Sequence, residues 1–129
     1  MTERGLADTS VFIAREARRP IDVEAMPDHL AVSAVTIGEL RAGVLVASDT
    51  ATRDRRLDTL TAALSLEPIP IDVEVASAWA RLRVALRDAG MRMPANGSWI
   101  AATAMALDVP IVTQDDDFPT LAEFDVIHV

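Results

Sequence analysis

With 129 residues, half of them apolar and only 4% aromatic, the chain has material for one hydrophobic core and not for two. A formal net charge of −8 counts against holding nucleic acid on a broad basic face, and the absence of cysteine excludes disulfides and thiolate metal sites. All 12 basic residues are arginine, which disfavours phosphoryl-handling classes that set a lysine beside their aspartates or in a phosphate-binding loop.

The opening Met-Thr-Glu-Arg-Gly-Leu-Ala-Asp lacks the basic start and apolar run of a secretion signal, and no later apolar run is long enough to span a bilayer. A soluble cytoplasmic protein without membrane contact is therefore expected, as one domain over residues 1–129. Leu6 and Ala7 form a short strand ending at Asp8, and a helical segment begins at Val11. Asp8 before Thr9 and Ser10 is also a good helix cap. Pro20 to Asp28 reads as a loop with a turn or two of helix, and His29 to Val35 as a strand.

Thr36 to Glu39 opens a helix that runs to about Val46, and Thr36-x-x-Glu39 has the form of a capping box in which Glu39 only reaches back to the helix start. Ala51 to Leu64 is the next helix, with Leu57, Leu60 and Leu64 on its apolar side and Arg53, Arg55 and Arg56 as a solvated face. Leu66 to Ile71 contains two prolines and is a short edge strand or an extended connector. Asp72 caps a helix that presents Val75, Trp79, Leu82 and Leu86 to the core and ends at Gly90. After a loop through Asn96, Trp99 to Leu107 is apolar around the whole helical wheel, as in a helix packed on several sides. Pro110 to Val112 is a buried strand, and Asp125 to Val129 closes the chain as another. Strands alternating with helices predict an α/β fold, a mostly parallel central sheet flanked by helices.

In that arrangement Asp8 and the triplet Asp115, Asp116 and Asp117 follow strands, while Glu39 lies at the start of a helix that follows a third. All of them gather at the carboxyl edge of the sheet, where open α/β sheets bind ligands. Two carboxylates about 4 Å apart repel by roughly 4 kcal/mol at an effective dielectric near 20, so such a cluster calls for a cation or a shared proton. Mg²⁺ or Mn²⁺ suits an all-oxygen site and can activate water against a phosphodiester. Neither His29 nor His128 is expected beside a strand-end acid, which disfavours a histidine zinc site.

Four segments, Ala7 to Ser10, Thr36 to Gly43, Asn96 to Ala104 and Val112 to Phe118, together resemble the PIN-domain family, particularly VapC-type toxins of bacterial toxin–antitoxin modules. The resemblance covers the whole chain with the segments in order. It implies a Mg²⁺- or Mn²⁺-dependent endoribonuclease, inhibited by a cognate VapB-type antitoxin whose tail enters the active site. An RNA substrate and a homodimer are expected with it. Carried over residue by residue, it makes Asp8, Glu39, Asp115 and Asp117 the catalytic and metal-holding acids, with Thr9, Thr113 and Asn96 in support. Glu39 thereby shifts from cap to ligand.

At one position the chain departs from the pattern. Similar toxins have Asn-Asp where this chain has Asn96-Gly97, and the missing carboxylate is a principal metal ligand of the family. The resemblance thus implies impaired activity, whether the glycine was introduced or selected because an active ribonuclease poisons its host or marks a natural loss. Compensation by Asn96, Asp116 or water is the other outcome. The rival function is a catalytically silent protein of the same fold that sequesters an antitoxin.

Overall fold

The structure, a computed structural model, describes residues 3–129, so Met1 and Thr2 of the expected domain lie outside the described residues. Four short strands, β1 (Arg4–Ala7), β2 (His29–Val32), β3 (Ile111–Thr113) and β4 (Val126–His128), form one sheet in the order β2-β1-β3-β4. Every neighbouring pair is parallel. The helices are α1 (Thr9–Glu16), α2 (Ala34–Leu45), α3 (Thr50–Leu64), α4 (Val73–Ala89) and α5 (Ala95–Leu107). Among the described residues no helix is long and apolar enough to cross a membrane.

Alternation along β1 builds the two layers of the core. Leu6 packs on one face with Leu82 and Leu86 of α4, Ile100 and Ala104 of α5, and Ile111. Its neighbour Ala7 points to the other face, with Phe12 of α1, Leu40 of α2, and Leu60 and Ala63 of α3. Leu82 and Ile100 are 0% and 1% exposed, and side chains of that size contribute about 1.5–3 kcal/mol each on full burial. At Gly5 an added Cβ would come within 2.7 Å of Val112 Cγ2 and 2.8 Å of Pro27 Cγ. Glycine therefore lets the central strand sit this close to β3.

Asp72 caps α4 by accepting from the Val75 N–H at 2.9 Å, and Gly90 ends it in the left-handed region at φ 67°, both as the sequence predicts. Several boundaries differ from expectation. β2 stops at Val32 because Ser33, not Thr36, caps α2, its hydroxyl accepting from the Val35 N–H at 3.1 Å. Leu66 to Ile71 is an extended connector, whose residue Ile69 between Pro68 and Pro70 makes one parallel bridge to Ser33. That residue supplies both backbone groups, donating to Val32 at 2.8 Å and accepting from Ala34 at 2.9 Å. In α3 only Leu60 of the three expected leucines is buried; Leu57 and Leu64 are exposed.

The arginines of α3 are more than a solvated face. Arg56 donates to the Gly43 carbonyl at 2.7 Å and Arg53 to the Ala47 carbonyl at 2.9 Å, satisfying acceptors that the end of α2 leaves open. Trp79 is half-buried rather than a core residue, and its ring stacks on Trp99 with centroids 4.5 Å apart. α5 begins at Ala95, so Asn96 and Gly97 belong to its first turn and not to the loop before it.

Candidate active site at the carboxyl edge of the sheet

β1 and β3 lie side by side with Leu6 opposite Ile111 and Ala7 opposite Val112, and the Asp8 N–H donates to the Val112 carbonyl at 2.8 Å. This register brings Asp8, the first residue past β1, against Thr113 and Asp115 at the end of β3. From β1 the sheet continues to β2 on one side and to β3 on the other, so the connections diverge and leave a crevice. The crevice is a cleft of about 620 Å³. Asp8, Glu39, Asp115 and Asp117 all line it, together with Asn96 and Gly97.

Asp8 is 5% exposed and heavily constrained. Its Oδ2 accepts from the Ser10 hydroxyl at 2.7 Å, the Thr113 hydroxyl at 2.9 Å and the Ser10 N–H at 3.4 Å. The capping function and the place in the acid cluster therefore coexist: the Ser10 and Thr113 donors converge on Oδ2 and leave Oδ1 to the acid cluster. Thr113 Oγ1 in turn accepts from the Asp115 N–H at 2.9 Å, and Ser10 Oγ accepts from the Gln114 N–H at 3.0 Å. Two hydroxyls thus tie the first acid to the loop that carries the last ones.

Glu39 is held from α1. Thr9 Oγ1 donates to Glu39 Oε1 at 2.7 Å and lies 2.9 Å from Thr36 Oγ1. Since the Thr9 proton is committed to the carboxylate, Thr36 is the donor of the second bond. Thr36 is fully buried, three residues before Glu39 on the same helix face. The capping-box reading is corrected by this geometry. Both residues lie inside α2, and their partner is a hydroxyl from another helix rather than their own backbone.

Within the triplet, Asp115 and Asp117 line the cleft while Asp116 turns away, its side chain 99% exposed and 3.8 Å from His128 Nε2. His128 also lies 3.1 Å from the Asp115 carbonyl oxygen. The expectation that neither histidine sits near a strand-end acid is thus wrong for His128. β4 pairs with β3 so that His128 stands opposite Thr113, which carries the ring to the acidic loop but outside the cleft wall.

The Asp115 carboxyl is raised above its ordinary value. Partial withdrawal from water comes first among the causes, followed by the charge of Asp8, the charge of Asp117 and a hydrogen bond with the Asp8 side chain; Arg19 acts in the opposite sense. Asp115 stays open to solvent, so the neighbouring carboxylates are the part of this shift that a bound cation or a guanidinium can remove. The donor chemistry fits a hard divalent ion, being all oxygen and all anionic, and Mg²⁺ keeps several waters in such sites. In number the set is incomplete: among the described residues no three acids or imidazoles converge closely enough to hold an ion by themselves. Gly97 lies on the wall of the same cleft.

Thr36 and Gln114 hold this site in ways that local patterns do not signal, because their partners lie 27 and up to 104 residues away. Gln114 also donates from Nε2 to the Pro20 carbonyl at 2.8 Å and the Val129 carbonyl at 3.1 Å. It thereby anchors the segment that carries Arg19 into the cleft wall. A strand-end Asp-Thr-Ser was the available signal for Ser10.

Residues 6–124 match the PIN domain family. The chain is 45% identical over 128 residues to Ribonuclease VapC5 of Mycobacterium tuberculosis, covering 97% of this chain and 95% of that protein. It is 49% identical over 131 residues to Ribonuclease VapC4 of the same organism, with 98% and 97% coverage. The crystal structure of VapBC-5 from Mycobacterium tuberculosis, a member of the VapBC family of toxin–antitoxin systems, contains a chain that superposes with a TM-score of 0.88. The two are 43% identical, with 98% of each chain covered. The chain therefore belongs to the PIN-domain family and, within it, to the VapC ribonucleases.

Proposed function

We propose that the chain is the toxin of a type II toxin–antitoxin module, an endoribonuclease that hydrolyses RNA phosphodiester bonds in the acidic cleft with Mg²⁺ or Mn²⁺. The observation that carries this reading is the juxtaposition of Asp8 and Asp115 at the switch point of the sheet, with Glu39 and Asp117 on the same cleft. With waters completing a shell that the acids do not close by themselves, these four residues would hold the ion and form the catalytic set. When bound, a divalent ion supplies an activated water and positive charge for the phosphate oxygens. Thr9 orients Glu39, Thr113 and Ser10 orient Asp8, and Asn96 offers an amide at the cleft wall.

Gly97 sets the level of activity. Without a carboxylate on the α5 side, the ion is held less firmly and positioned less well while charge builds on the phosphate. A VapB-type antitoxin is the partner, in keeping with the toxin–antitoxin assignment of the VapBC-5 structure. An arginine in its tail would pair bidentately with the cleft carboxylates and displace the cation. The protein would act in the cytoplasm as a homodimer.

Gly97 also favours a second reading, a silent protein that keeps the toxin surface and sequesters antitoxin. Cleavage of total RNA by this chain and by Gly97→Asp, over a Mg²⁺ and Mn²⁺ titration, separates the two. The ribonuclease reading expects metal-dependent cut ends from this chain itself, and more of them from the variant. Silence from both proteins, with antitoxin still bound, would establish the second reading.

A further inference from the structure

Beside the acidic cleft lies a second hollow of about 290 Å³, walled by Arg83, Arg87 and Arg92 with Leu86, Met91 and Met93. Among the described residues its walls carry no carboxylate. Met93 also lines the acidic cleft, so the two hollows adjoin at that side chain. In a chain of net charge −8 this gathers three of 12 arginines at one place.

The hollow is built in register with the acidic cleft. The Arg83 guanidinium lies over the Trp79 ring, 5.1 Å from its centroid, and Trp79 stacks on Trp99 with the ring planes 5° apart. Trp79 Nε1 donates to Ser98 Oγ at 3.1 Å, and that hydroxyl donates to the Ala95 carbonyl at 2.6 Å. Arg83 is therefore laid on an aromatic stack fixed to the same first turn of α5 that presents Asn96 and Gly97 to the cleft. Stacking holds a guanidinium without consuming its hydrogen-bond donors. Arg87 bonds Asp88 Oδ1 from Nε and Nη2, both at 3.2 Å, but this pair is 75% and 66% exposed. A pair so exposed is readily exchanged for a phosphate. Arg92 is exposed on the loop between α4 and α5.

We propose that the arginine hollow is a subsite for the backbone phosphates of single-stranded RNA. Nucleotides flanking the scissile bond leave the acidic cleft over Met93 and set their phosphates on Arg83, Arg87 and Arg92. The inference rests on the ribonuclease reading. It answers an electrostatic difficulty in that reading, since an acidic cleft in an acidic protein repels a polyanion. A neighbouring surface of opposite sign retains the substrate while the scissile group faces the carboxylates. Two small adjoining hollows suit a strand that bends at each nucleotide, as arginine-lined single-strand grooves do.

The test is fluorescence anisotropy with a labelled single-stranded RNA of about 12 nucleotides, in EDTA so that nothing is cleaved, between about 50 and 200 mM salt. Each phosphate contact on a single strand contributes about 0.7 to the slope of log K against log salt. The R83A/R87A/R92A variant should therefore lose about 2 from the slope, which removes roughly 20-fold of salt sensitivity across that range. R83K/R87K/R92K should keep the slope, showing that the alanine effect is charge and not collapse of α4. In the Gly97→Asp background the alanine variant should raise KM for the long RNA with kcat kept, and leave cleavage of a dinucleotide unchanged. An unchanged slope would overturn the subsite, as would loss of antitoxin binding in place of RNA binding. Cleavage by Gly97→Asp with all three arginines present reports separately on the ribonuclease reading, so the two failures are distinguishable.

Discussion

The two walls of the acidic cleft are built very differently. On the strand side Asp8 is 5% exposed, three donors converge on one of its oxygens, and a Thr36–Thr9–Glu39 relay aims the second acid. On the helix side α5 begins after Pro94 with no side-chain cap and no acidic residue in its first turn. One wall is over-determined and the other is bare, although the helix start, with unpaired N–H groups and a positive dipole end, is where a carboxylate is best tolerated. On the proposed function, any deficit would fall on a single side chain, at Gly97. The fold that would receive that side chain is in place.

The largest expected effect comes from filling the bare wall. Gly97→Asp should raise metal-dependent RNA cleavage by about 10²-fold or more, on the scale of one stabilising group in a preorganised site. Nothing in the backbone requires glycine there: a Cβ would meet only Met93 Cε, at 3.8 Å. Replacing a helical glycine by aspartate gains only a few tenths of a kcal/mol, and an acid in the first turn gains about 0.3–1 kcal/mol from the helix dipole, against which the carboxylates of the same cleft repel it without a bound cation. Gly97→Asn shares the helix effect without the charge, so only the aspartate should restore cleavage. Equal rates for all three proteins over a Mg²⁺ and Mn²⁺ titration would remove position 97 from the site.

Breaking the opposite wall should cost somewhat less. Asp8→Asn keeps the cap geometry but removes a charge, and Mn²⁺ affinity by calorimetry should fall about 10- to 100-fold, comparable to the loss of a well-oriented group at a metal site. Equal affinity in the two proteins would take Asp8 out of the ligand set. Thr9→Val then tests orientation alone: kcat in the Gly97→Asp background should drop by about 10-fold, with Thr9→Ser restoring it. If Thr9→Val changes melting temperature and not kcat, the relay is a packing feature.

The difference between the walls also explains what can be read from the sequence. Leu6-Ala7 before Asp8 and Ile111-Val112 before the triplet are local strand signals, and a parallel sheet then aligns their ends without further information. Gly97 is legible because a resemblance supplies a residue to compare it with. The support of the strand-side wall is not legible in the same way. The local pattern Thr36-x-x-Glu39 reads as a cap, yet Ser33 caps the helix and Glu39 is held by a hydroxyl on α1 that is 30 residues away. Gln114 reads as an ordinary polar residue until the fold places it between Ser10, Pro20 and Val129. The start of α5 could have been placed earlier from Pro94, since proline commonly borders a helix start.

The smallest effect concerns Asp115, where the two walls meet in a charge imbalance. Its carboxyl is raised by partial burial and then by Asp8 and Asp117, so the native state takes up a proton more readily than the unfolded chain. The stabilisation from that proton is complete below the ordinary carboxyl value of 3.8 and is lost as pH rises through the raised folded value. At neutral pH the ionised Asp115 carboxylate therefore costs the fold some stability. Asp115→Asn, which mimics the protonated side chain, should melt slightly higher than the parent near pH 7, and the gap should close as pH is lowered toward the ordinary carboxyl range. Added Mn²⁺ should reverse the order, because a cation relieves the same repulsion in the parent and finds one ligand fewer in the variant. Calorimetric melts at several pH values, with and without Mn²⁺, provide the check. A parent that melts at or above the variant at neutral pH without metal would overturn this reading and point to Arg19, which opposes the shift, as offsetting the neighbouring carboxylates.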